Sequence, residues 1–262
     1  DRTIKLRASE ALAWAPGEGI DISPAYINLG YALLNSGPEM RENAACALWI
    51  STAKATDSIP RIPAIIPFLI VALADPDEQV QLYASMALAE AAEKAYILAI
   101  RESLIPAVPA IVTMLSSKNA DIRNEAICAI TYMALAGIDT SAANDALEKM
   151  PYFPLGRHRG NVPFALACHY LNLKQLDKIR EMATNQDDHI RWPVMKALSI
   201  AAERKIDLSE LEDVLKKEIK DPNKGVMIKA IRALTLHYEN QRNWMGIFDM
   251  LVLSEQRNEN SG

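Results

Sequence analysis

The sequence predicts an all-α chain of about six to seven two-helix repeats stacked as a solenoid. Three observations point there. Half of the 262 residues are hydrophobic but only 6% are aromatic. Much of the apolar content is alanine, the best helix former and one that lets helices pack closely. Gly and Pro number 10 and 14, too few for a disordered or collagen-like chain. An apolar pattern at helical spacing also returns at roughly forty-residue intervals, the period of two-helix repeat arrays.

The pattern is an anchor followed by apolar or small residues four, seven and eight positions on, which share one helical stripe. The first copy is Ile4, Ala8, Ala11, Leu12, followed by Met40, Ala44, Ala47, Leu48 and then Val80, Ala84, Ala87, Leu88. Next come Ile122, Ala126, Ala129, Ile130 and a weaker copy, Val162, Leu166, His169, Tyr170. Ile190, Val194, Ala197, Leu198 and Val226, Ala230, Ala233, Leu234 complete the series. The anchors lie 36, 40, 42, 40, 28 and 36 residues apart.

Each stripe marks a helix B, and the stretch before it reads as a helix A. Ile27, Leu29 and Leu33 precede Met40 at the offsets that Pro67, Leu69 and Leu73 hold before Val80. Pro109, Ile111 and Leu115 hold the same places before Ile122, and Leu215 and Ile219 hold the last two before Val226. In the turns, Asp75-Pro76 and Asp221-Pro222 place an N-cap Asp before a Pro at the first helical position. Asn119 and Asp187 are expected to begin two other B helices. Before Val162, helix A is short, about 141–150, and Leu173 to Thr184 reads as another short helix.

Segments such as 66–88 (IPFLIVALADPDEQVQLYASMAL) and 221–234 (DPNKGVMIKAIRAL) resemble the HEAT-repeat, armadillo-like α-solenoid family. The resemblance runs from Ile4 to about Leu253. It implies a right-handed α-α superhelix. It also implies an Asp in each A–B turn and an Arg just after the helix B anchor, forming a ladder between repeats. Here Asp75 faces Gln81 and Asp221 faces Met227, while Arg41 and Arg191 stand with Asn35 and Asn185. No repeat holds both members, so a continuous ladder is not expected.

One solenoid domain is therefore expected over 1–255, with an irregular loop near 150–163 and a polar tail at 256–262. The first helix reads as a B without its A, and 243–255 as an A without its B. Solenoid ends need polar capping repeats, so the chain is expected to be a segment of a longer protein or to adjoin further domains.

Bulk charge and composition exclude several functions. Net charge is −5, without the basic surplus or stripe of a nucleic-acid binder. Residues 1–130 hold 10 basic and 15 acidic side chains, and the remainder 18 of each. The longest apolar candidate, Ile59 to Ala74, is broken by Pro60, Arg61, Pro63 and Pro67, so no membrane span is expected. Three widely spaced cysteines make no disulfide framework and suit a reducing, cytoplasmic setting.

Catalytic signals are missing from the sequence. It has no nucleophile elbow, Walker loop, GxGxxG or CxxC, and the four histidines form no ligand pair. No metal, cofactor or catalytic residue is expected. His169, on the stripe, reads as a core histidine. Cys46, Cys128, Cys168 and Met86 share one offset and read as a semi-buried seam. Glu90 and Glu93 read as a solvated face.

The face of helix B away from the stripe carries the candidate contacts. It is apolar where a solvated face would be charged: Leu82, Phe164, Trp192 and Ile228, with Trp49 nearby. One reading is an apolar groove for a partner helix or peptide, with the tryptophans as anchors. The other is burial by curvature or a neighbouring helix. In the irregular loop, Arg157, His158 and Arg159 precede a helix N-terminus, where backbone N–H groups favour anions. They form either an anion-binding loop or a solvated one.

The expected function is a non-enzymatic scaffold that binds a protein or peptide on the surface lined by helices B, with no nucleic-acid or membrane partner. The resemblance leaves two enzyme classes as alternatives, bilin attachment and DNA base excision. A regulatory domain of a larger enzyme is a third.

Overall fold

The computed structural model describes residues 2–55, 59–95, 97–150 and 161–249. Among them every regular element is a helix, and none is long and apolar enough to cross a membrane. They fall into two compact units, one running to residue 150 and including Asn161, the other starting at Val162.

In the first unit, α1 (Arg2–Trp14), α2 (Tyr26–Asn35) and α3 (Pro38–Ala53) are followed by α4 (Ile66–Ala72) and α5 (Glu78–Glu93). Then come α6 (Leu98–Leu104), α7 (Val108–Met114), α8 (Ala120–Leu135) and α9 (Asn144–Glu148). In the second, α10 (Val162–Asn172), α11 (Leu176–Ala183), α12 (Asp188–Glu203), α13 (Glu212–Glu218) and α14 (Lys224–Gln241) continue the alternation. A further helical stretch covers 244–249. The seven helices that contain the anchors are the B helices expected from the pattern. The short helix before Val162 is a 3-10 turn, Ser141–Ala143, running into α9.

Within each unit the B helices lie side by side, α1, α3, α5 and α8 in one and α10, α12 and α14 in the other. A helices pack against them: α2, α4 and α7 on α3, α5 and α8, and α11 and α13 on α12 and α14. The stripe is the seam. Ala44, Ala47 and Leu48, then Ala84, Ala87 and Leu88, then Ala126, Ala129 and Ile130 are each at most 1% exposed. Val194, Ala197, Leu198, Ala230, Ala233 and Leu234 are buried to the same degree. His169 is buried there as expected of a core residue. On α1 the same stripe positions, Ala8 and Ala11, are exposed, because no described A helix crosses it.

The turns correct one expectation. Asp75 and Asp221 are not the helix caps. The helices start three residues later, capped by Asp77 and Asn223, whose side chains accept the N–H of Gln79 (2.9 Å) and Gly225 (2.8 Å). Asp75 and Asp221 each accept the N–H two residues on, Asp77 at 2.9 Å and Asn223 at 2.7 Å, and so fold the turn itself. Ser117 and Asn185 do the same for Asn119 and Asp187. Asn119 and Asp187 are caps, as the sequence suggests.

This geometry also restores two rungs of the ladder. Arg41 donates from Nε and Nη2 to both Asp75 oxygens, at 2.8 and 3.0 Å. Arg191 does so to Asp221, at 2.8 and 3.3 Å. The partners sit in successive repeats rather than in one, which is why matching them within a repeat finds no pair. Both arginines also donate backward to their own turn, Arg41 to the Ser36 carbonyl and Arg191 to those of Asn185 and Gln186. Each guanidinium thus ties two turns together.

Between repeats lies a second motif, Ile-Asp-x-Ser, at 20–23, 138–141 and 206–209. In each copy the Asp side chain accepts the Ser N–H, at 2.8 to 3.0 Å, and starts a 3-10 turn that leads into helix A. The residue before the motif has a left-handed backbone: Gly19, Gly137 and Lys205 have φ of 82°, 75° and 62°. Glycine meets that demand without strain. Helix α6 is an addition that the two-helix reading lacks, and it occupies the longest anchor interval. Glu90 is a further correction: it is 5% exposed rather than solvated, with the Lys94 ammonium 4.0 Å away.

Next to the second rung, Glu218 is 4% exposed, 3.9 Å from Arg191. Burial, then the hydrogen bond and charge of Asp221, push Glu218 up to about 7. Asp221 is held below its ordinary value despite burial, by Arg191, the Asn223 N–H and Glu218. One guanidinium faces two carboxylates, so one of them keeps its proton.

Two outcomes are expected. In a double-mutant cycle, Arg41→Ala and Asp75→Asn should couple by about 1–3 kcal/mol; a coupling near zero in urea melts would show that the rung contributes nothing. For Glu218, the folded value lies above the unfolded 4.5. The folded state therefore holds a proton that the unfolded state releases, and stability falls as pH rises from about 4.5 to about 7. Glu218→Gln should flatten that fall by on the order of 2 kcal/mol, read from denaturation at a series of pH values.

Candidate functional site

The face of the B helices away from the seam differs in the two units. In the first, Trp49 of α3 and Tyr83 of α5 stack with centroids 5.5 Å apart and planes 16° apart. Both rings are half-buried, as is Leu82 beside them. Burial is the largest influence on the Cys46 thiol and the Tyr83 hydroxyl, and it raises both; the Glu42 carboxylate adds to each rise. The stack therefore lies in a neutral apolar strip with an acidic residue alongside. Met86 is half-buried like Cys46, whereas Cys128 on α8 is buried.

In the second unit, Phe164, Trp192 and Ile228 occupy equivalent places on α10, α12 and α14. Their exposure is unequal. Ile228 is 57% exposed, Trp192 is half-buried, and Phe164 is 6% exposed. Phe164 thus corrects the expectation of an open groove running through all three: its ring belongs to the packing. The Lys196 ammonium lies 4.4 Å from the Phe164 centroid and 5.6 Å from that of Trp192, a cation over two aromatic faces. Gly225 on α14 lets the indole approach. A Cβ there would fall 2.9 Å from Trp192 Cδ1. Beyond Lys196, Arg232 bridges to Glu203 at 3.2 Å.

Trp49 thus meets Tyr83, the residue after Leu82, in one unit, and Trp192 and Ile228 sit on the adjacent helices α12 and α14 in the other. Tyr83 is the residue that sequence reasoning missed. It sits one position beyond Leu82 on the helix wheel, and the signal was its aromatic type opposite Trp49 on the neighbouring B helix. Arg157, His158 and Arg159 lie outside the described residues.

Groups able to do chemistry have structural work. Cys168 is fully buried, and burial pushes its thiol far above the ordinary range, so it is no nucleophile at neutral pH. Among the described residues one cluster, Asp187, Asp188 and His189, could converge on a metal. Asp187, however, caps α12 through the His189 N–H, and Asp188 accepts from the Asn223 side chain.

No protein-family model matches the chain, and no curated protein matches it. Solved structures do. One is the crystal structure of an engineered protein, 20% identical, with a TM-score of 0.64 over 88% of this chain and 64% of that one. A designed armadillo repeat protein is 17% identical with a TM-score of 0.52, over 90% of this chain and 94% of that one. Computationally designed armadillo repeat proteins for modular peptide recognition are 17% identical with a TM-score of 0.51, over the same shares. At these identities the likeness shows the fold, an armadillo- or HEAT-like α-solenoid.

Proposed function

We propose that this α-solenoid is a non-enzymatic scaffold that holds a protein or peptide partner on the face lined by its B helices. One observation carries the reading. Trp49 and Trp192 lie half-buried on that face, with Ile228 open beside the second, where a purely solvated helix face would be charged. Large amphipathic rings held by their neighbours are the usual anchors of protein contacts. The designed repeat proteins of like fold, made for peptide recognition, support the same kind of partner.

In this reading Trp49 with Tyr83 and Leu82 forms one apolar station, and Trp192 with Ile228 the other. Arg157, His158 and Arg159 are the basic residues that would meet an acidic part of the partner. Phe164 and Trp192 share the Lys196 ammonium between them. The three free cysteines suit a reducing, cytoplasmic setting.

Selection of a random-peptide display library tests this, with the chain as bait and counter-selection on a Trp49→Ala, Trp192→Ala double variant. Peptides retained by the chain are expected to lose on the order of 30-fold in affinity on the variant, at unchanged Tm. Phe164→Ala should instead lower Tm, at a cost of about 3 kcal/mol. Recovery of peptides that bind chain and variant alike would overturn the reading, as would recovery of none.

A further inference from the structure

The B helices of the second unit carry positive charge among their apolar contacts. Two, three and six positions after the anchors, α10, α12 and α14 hold Lys196, Lys229 and Arg232 as their only charged residues. At the same positions α3, α5 and α8 hold only Glu42 and Glu125. The next carboxylates along α12 and α14 on this face, Glu203 and Glu239, stand two turns beyond, and Glu203 takes up Arg232 at 3.2 Å. Lys196 is one turn from Trp192 on the same side of α12. Its ammonium is 4.4 Å from the Phe164 centroid and 5.6 Å from that of Trp192. Two rings hold this side chain, so an incoming group meets a cation already in place.

That position selects what can cover the indole. A chain packed on Trp192 and Ile228 comes within reach of the Lys196 ammonium and strips water from it. A purely apolar chain takes that water and gives nothing in return, which is unfavourable. A carboxylate in the chain replaces the water with a charge-assisted hydrogen bond in a partly desolvated place. Given a peptide on the B face, as proposed above, we infer that its segment at Trp192 and Ile228 carries an Asp or Glu beside the apolar side chain, and that Lys196 binds this carboxylate. Lys229 and Arg232 on α14 extend the positive ground for a second acidic residue. A nucleic acid fits less well. Ile228, 57% exposed, is aliphatic, and Phe164, 6% exposed, offers no open ring for a base. The net charge of −5 also repels a polyanion.

Peptides selected from a random display library on the whole chain, and kept if Trp192→Ala weakens them, test the inference. They are expected to carry Asp or Glu beside a large apolar residue more often than the unselected library does. Lys196→Met keeps an apolar stem over Phe164 and removes the charge. It should weaken these peptides at least tenfold at unchanged Tm, and Lys217→Met on α13 should not. Changing the peptide's carboxylate to its amide needs no protein variant. It should cost about the same factor, with no further loss on Lys196→Met. Lys196→Glu should prefer a peptide with Lys in place of the acid. Peptides that need Trp192 but tolerate both Lys196→Met and the amide overturn this inference and leave the scaffold reading standing. Recovery of no Trp192-dependent peptide overturns both. An oligo-dT strand that needs Lys196 and binds more tightly than the peptides would assign the cation to nucleic acid, and would overturn the inference as well.

Discussion

Burial of one small-residue seam along each B helix is the constraint on which the rest of the structure depends. The seam is mostly alanine, so neighbouring helix backbones come close and each residue meets partners on both sides. Ala84, Ala87 and Leu88 are fully buried because α3, α8 and α4 all reach α5. On α1 the same residue types at the same spacing leave Ala8 and Ala11 in solvent. Sequence pattern therefore sets which face can be buried, and neighbours set whether it is. Stability in such an array comes from contacts between adjacent repeats, not from a central core.

The turns hold the register of the stack. Before α5, α8, α12 and α14 a short polar side chain at the turn start accepts the N–H two residues on, and the next polar residue caps the helix. Where the first of these is Asp, it has a second oxygen to offer, and an arginine of the preceding repeat takes both. That double use explains why Asp75 and Asp221 occupy those places while Ser117 and Asn185 suffice where only the turn is needed. At the second rung an additional buried carboxylate, Glu218, makes the junction sensitive to protons as well as to packing.

The B helices were legible in the sequence because their stripes repeat in type and spacing, and burial enforces both. The Arg–Asp rungs were not, because the pairing crosses from one repeat to the next and comparison within a repeat splits the partners. Helix α6 was hidden in a long interval without an anchor. The Ile-Asp-x-Ser turns were visible as a recurrence, but their copies are only four residues long and skip repeats. At the candidate site, Phe164 and Ile228 share one helical offset and have opposite fates. The offset gives a direction, and exposure depends on what the next helix and its neighbours bring, which one sequence does not contain. Lys196 over Phe164 and Trp192 is likewise a product of packing between α10 and α12.

The two units put one architecture to different surface use. The first has a partly aromatic B face with Glu42 alongside and three A helices, α2, α4 and α7, without charged residues; the second has a mixed B face around Lys196 and charged A helices. All of this stands on the seam, and native-state hydrogen exchange resolved by residue tests the seam most directly. If neighbour contact holds the array, amides of α3 and α5 will exchange slowly, near the global unfolding limit, and those of α1 faster by at least about tenfold. Protection of α1 equal to that of α5 would contradict it, since helix propensity rather than burial between repeats would then be holding the B helices.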